Sequence, residues 1–138
     1  MREPLNYAGA IAAAHAVIVI GRERGLALSV SVVNRSGITK IVLADDGAGP
    51  LAVETSRRKA YTAALMGMPT DVFAQFAVDP KMAAAPPHRV DAQLLPAIGG
   101  LPIVVDGEVI GGIGVGGADG DTDKTVAIEA LERAQSLW

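Results

Sequence analysis

The stretch Leu101–Gly117, LPIVVDGEVIGGIGVGG, decides the fold. Two runs rich in Val and Ile, Leu101–Val105 and Glu108–Val115, flank Asp106-Gly107, a pair that accommodates the positive φ angles of a two-residue hairpin turn. The spacing predicts two antiparallel strands. The same stretch holds Gly112-x-Gly114-x-x-Gly117, the spacing of a dinucleotide-binding turn. Such a turn follows the first strand of a βαβ unit, and an acidic residue about 20 positions on holds the ribose. Here a hairpin precedes the glycines and one helix remains before Trp138, so no second strand of the unit exists. The glycines read instead as bare backbone against which a helix, another subunit or a ligand lies closely.

Working outward, LALSVSVVN (Leu26–Asn34), the turn residues RSG and ITKIVLA (Ile38–Ala44) form a second hairpin. Asn6–Arg24 has helical spacing, with Ala8, Ile11, Ala12, His15, Ile18 and Val19 on one stripe and Gly25 as a stop. Leu51–Met66 is a helix, a shorter one starts at Pro69-Thr70 and ends near Val78, and Asp121–Leu137 closes the chain as an amphipathic helix. Between them, Pro80, Pro86, Pro87 and Pro96 make Asp79–Pro96 irregular. Hairpins give antiparallel neighbours, so the order predicts an α/β fold of the α+β kind, a mostly antiparallel sheet with helices packed on it.

At 138 residues the chain reads as one domain, 1–138. Half of the residues are apolar but only 4% are aromatic, so small side chains must bring backbones close together. The net charge of −3 offers no basic field for nucleic acid. The absence of cysteine removes disulfides, thiolate catalysis and Cys-ligated metals. The run YAGAIAAAHAVIVIG near the N-terminus is shorter than the roughly 18 residues that span a bilayer. Charged RERG follows it where a leader would carry a cleavage site, so we expect a cytoplasmic protein with no membrane partner.

In this order, LALSVSVVNRSG, DDGAG, SRRKAYTAALMGMPT and IGGLPIVVDGEVIGGIGVGGADGDTD resemble the GlcG/HbpS family over nearly the whole chain. That family is also met as the C-terminal domain of PduO-type adenosyltransferases. The resemblance implies a profilin-like, five-stranded antiparallel sheet sandwiched between helices, assembly into homo-oligomers and, in several members, haem as the ligand. Two departures touch the expected pocket. The chain has Ala44-Asp45 where the family often has Arg-Met before Asp-Gly-Ala, and Gly116-Gly117 where it often has a serine.

Candidate chemistry follows in two classes. As a binding protein, the chain would hold haem, another flat cofactor or a small molecule. His15 would be the metal ligand, Arg57 or Lys59 would pair with propionates, and Gly114 and Gly116 would leave room for the ligand. A lone histidine on an apolar helix face is more often a core residue with a satisfied hydrogen bond, and Lys59 also reads as an internal ion pair or a snorkelling side chain. At 100° per residue, Arg57 and Lys59 flank the stripe Val53, Ala60, Ala64, and Arg58 faces solvent. As a cofactor-independent isomerase or tautomerase of a small oxo or hydroxy acid, it would use Lys59, Tyr61 or Asp46 as acid and base. Asp45 and Asp46 also read as turn residues, and Asp119, Asp121 and Asp123 as helix caps. A third reading is an assembly protein whose glycines serve only packing.

Overall fold

The computed structural model describes residues 4–138. Helix α1 (Tyr7–Glu23) leads into strands β1 (Ser29–Asn34) and β2 (Thr39–Ala44). Helices α2 (Pro50–Met66), α3 (Thr70–Ala77) and the one-turn α4 (Pro87–Val90) follow, and then β3 (Gly100–Val105), β4 (Glu108–Gly116) and α5 (Gly120–Ala134). The strands form one antiparallel sheet in the order β2-β1-β4-β3. The turn between β3 and β4 has φ of 50° at Asp106 and 79° at Gly107, the left-handed pair that Asp-Gly accommodates.

Among the described residues the sheet has four strands, not the five implied by the family resemblance. The segment between α3 and β3 holds a 3-10 turn at Pro80–Met82 and α4 at Pro87–Val90. Proline has no N–H to give a strand ladder, so this segment turns where a strand would need to pair.

Side-chain alternation on β1 divides the molecule. Val30 and Val32 point to one face, into a core shared with Ala13, Val17 and Ile20 of α1 and Val126, Ala127 and Ala130 of α5. Each buried valine there contributes about 1.5–3 kcal/mol. Ser29, Ser31 and Val33 point to the other face, towards α2. There the Ser56 hydroxyl lies 3.3 Å from that of Ser29 and 2.9 Å from that of Ser31, and Val33 packs on Ala60 and Ala64.

Helix α1 turns the opposite way from the stripe read in the sequence. Its buried residues are Gly9, Ala10, Ala13, Ala14, Ala16, Val17, Ile20 and Gly21. Ala8 and His15 are exposed, and Ile11, Ala12, Ile18 and Val19 are only partly covered. Both faces of the helix are apolar, so apolar spacing alone does not choose between them. The smaller side chains win the inner face because they let the backbone come nearer to the sheet and to α5. Asn6 caps the helix, its Oδ1 accepting from Gly9 N at 2.7 Å. No helix of the described residues is long and apolar enough to cross a membrane.

Candidate functional site

The glycines of β4 position α2. Gly112, Gly114 and Gly116 share the α2-facing side of the strand, opposite Val33, Ser31 and Ser29. A Cβ on each would run into the carbonyl oxygens of Ala60, Ser56 and Ala52 respectively. Four helical residues rise about 6 Å, and two strand residues advance about 6.6 Å. The repeats 52, 56, 60 and 116, 114, 112 therefore march together in opposite directions, and α2 lies directly on the bare strand. The room that the sequence reading reserved for a ligand over Gly114 and Gly116 is filled by the helix backbone itself.

This seating carries Lys59 inward. Its side chain is 7% exposed, and its Nζ donates to Val115 O at 2.8 Å and to Asp123 Oδ2 at 3.0 Å. Asp123, in the first turn of α5, accepts a second bond at Oδ1 from Ala118 N at 3.0 Å. Burial pushes the Asp123 carboxyl above its ordinary range, while the Lys59 ammonium pulls the other way. Beside the pair opens a cavity of about 450 Å³ whose lining includes Leu51, Ala52, Thr55, Lys59, Ala97 and Ala118. Asp123 is the partner that sequence reasoning missed, since it reads as one cap among three aspartates. The cap is Asp119, which accepts from Thr122 N at 2.9 Å.

The remaining candidates stand elsewhere. Arg57 pairs with Glu54 at 2.6 Å and donates to Gln93 at 3.0 Å. Arg58, expected in solvent, grips the carbonyls of Ala92, Gln93 and Leu94. The Tyr61 hydroxyl donates to Asp91 Oδ2 at 2.5 Å, and this hydrogen bond, with desolvation, raises its pKa. Thr62 Oγ1 accepts from Leu95 N at 2.8 Å. Four side chains of α2 thus hold the 91–95 strap. Asp46 is fully exposed and, among the described residues, its carboxylate reaches only Arg22, at 3.9 Å, while its neighbour Asp45 takes the guanidinium at 2.6 Å. That hydrogen bond holds the Asp45 carboxyl below the usual carboxylate range. Lys59, Tyr61 and Asp46 therefore have three separate sets of partners, and the fold does not assemble them into one acid–base group.

His15 is exposed in the middle of α1, and its side chain makes no hydrogen bond among the described residues. One turn away on either side are Ile11, Ile18 and Val19, and two turns on is Arg22. Since α1 and α2 cover opposite faces of the sheet, one chain does not bring His15 together with Arg57 or Lys59 around one ligand. A second groove, of about 500 Å³, lies between β3 and α5 along Leu101, Ile103, Ile128, Leu131 and Trp138. Its charged lining groups, Asp106 and Glu132, are both exposed and acidic.

Comparison with known proteins adds a family to this geometry. The family model described as "Haem degrading protein HbpS-like" matches residues 5–132. Protein GlcG of Escherichia coli is 34% identical over 107 residues, 74% of this chain and 76% of GlcG. The crystal structure of a double mutant of HbpS from Streptomyces reticuli superposes with a TM-score of 0.84 at 34% identity, covering 100% of this chain and 90% of that one. A PduOC:heme complex has the same fold, with a TM-score of 0.84, 22% identity and 94% of each chain covered.

Proposed function

The chain belongs to the HbpS-like family, and on that premise we propose that it binds haem on the outer face of α1 with His15 as the axial ligand. The placement of His15 carries this reading. Its imidazole is exposed on a helix and bonded to nothing among the described residues, so neither ring nitrogen must break a bond to reach iron. Ile11, Ile18 and Val19 offer an aliphatic bed for a porphyrin. Arg22, 63% exposed, lies on the same stripe with its guanidinium held by Asp45 at 2.6 Å, so a propionate, the partner first read for Arg57 and Lys59, would have to share that charge with Asp45. When bound, haem supplies a redox-active, Lewis-acidic iron.

Self-association belongs to the same reading. A helix that is apolar all round is normally covered all round. One chain gives the haem a single wall, and a second copy of the chain would supply the other. The similarity to HbpS and to a protein solved with haem supports the ligand class.

Titration with hemin tests the reading. A saturable Soret shift is expected in the wild type and in Arg57→Gln, and its loss in His15→Ala. No shift, or a shift untouched by His15→Ala, would overturn it. Size exclusion with and without hemin reports the second copy.

A further inference from the structure

The cavity beside Lys59 is graded from one end to the other. Leu51, 75% exposed, stands at its mouth, Ala52 and Thr55 line its wall, and Lys59 forms its buried floor. Steps of three and four residues place all four on one stripe of α2.

Both ends have unused hydrogen-bond donors. An ammonium carries three N–H groups, of which the fold engages two, through Val115 O and Asp123. At the mouth, α2 begins on Gly49, which gives no side-chain cap, and Pro50, which has no N–H. The N–H groups of Leu51 and Ala52 have no acceptor among the described residues. Such an end attracts negative charge. The floor differs in charge, because Lys59 and Asp123 sum to zero. A second carboxylate there would be set against Asp123, whereas a neutral carbonyl oxygen would take the spare N–H without that repulsion.

We propose that this cavity binds a short oxo acid, with its carbonyl oxygen on Lys59 and its carboxylate at the N–H groups of Leu51 and Ala52. The helix rises about 10–12 Å from these residues to Lys59. The lysine stem points back along the helix and covers roughly half of that distance. The span left suits a carboxylate and a ketone separated by two methylenes, which Ala97 and Ala118 flank. Thr55 Oγ1 bonds Ala52 O within its own turn at 3.3 Å, which leaves its lone pairs open to a ligand hydroxyl. This site lies across the sheet from His15 and stands apart from the haem reading.

Titration of the isotope-labelled protein with 4-oxopentanoate, followed by amide chemical shifts, tests the proposal. Saturable shifts are expected at Leu51, Ala52 and Ala118, and His15→Ala should leave them unchanged. Pentanoate, which lacks the ketone, should bind about tenfold more weakly. Ala97→Phe should abolish binding by filling the cavity, with no charge left unpaired. Leu51→Asp, at an exposed position, should weaken binding about tenfold by opposing the carboxylate. Absence of saturable shifts, equal binding of pentanoate, or binding unaffected by Ala97→Phe and Leu51→Asp would each overturn it.

Discussion

Lys59 and Asp123 meet at 3.0 Å with 7% and 2% of their side chains exposed, joining the middle of α2 to the first turn of α5. Removing one partner of a buried pair leaves the other charged and unmatched, at a cost of about 3–5 kcal/mol. Lys59→Met should therefore lower unfolding stability by about that amount in urea titrations, and Lys59→Met with Asp123→Asn should recover part of it. The pH dependence has a definite sign. Burial raises the Asp123 pKa, so its contribution is present at low pH and is lost as pH rises through the folded value. Without Lys59 that pKa rises further. The Lys59→Met deficit should be largest near neutrality and shrink on acidification.

Gly114→Ala sets a methyl group against the Ser56 carbonyl, a backbone atom with no rotamer to escape into. We expect a loss of about 1–3 kcal/mol or more in chemical denaturation, as for an overpacked core. Gly25→Ala makes the comparison. At φ of 70°, with nothing among the described residues within 4 Å of an added Cβ, it should lose only the backbone term, about 1 kcal/mol.

Tyr61→Phe removes the hydrogen bond to Asp91 that fastens the strap. At neutral pH the loss should be about 1 kcal/mol, discounted for partial exposure. Because that bond raises the tyrosine pKa, its stabilisation holds below the unfolded value near 10 and is lost as pH rises through the folded one. Unfolding curves across the alkaline range should fall more steeply in the wild type than in Tyr61→Phe.

His15→Ala should leave stability within about 0.5 kcal/mol of the wild type, since the side chain is exposed and unbonded. Thermal melts check that the variant is folded, and the Soret band then reports ligation alone.

The two hairpins were legible because Asp106-Gly107 and the alternating Val-rich runs state a period of two without competition. The outer helices were legible as helices, but the face of α1 was not, because Ile and Val on one side and Ala and Gly on the other are both apolar. Which side is buried depends on how near the sheet can come. Lys59 was visible at the edge of the α2 stripe. Its partner was not, because nothing local ties residue 59 to residue 123. The use of the glycines could be read from steps of two in β4 against small residues at steps of four in α2, Ala52, Ser56 and Ala60. That signal appears only when the two segments are laid side by side.

The match between these two step lengths works as a vernier. Advancing α2 by a single residue would turn its carbonyls by about 100° and push side chains onto the bare strand at three places together, so the helix has one seat. Lys59 lies between Ser56 and Ala60 on that rail. A guest at its ammonium cannot draw the lysine backbone along by local slippage. Any response must tilt helix and sheet as one body.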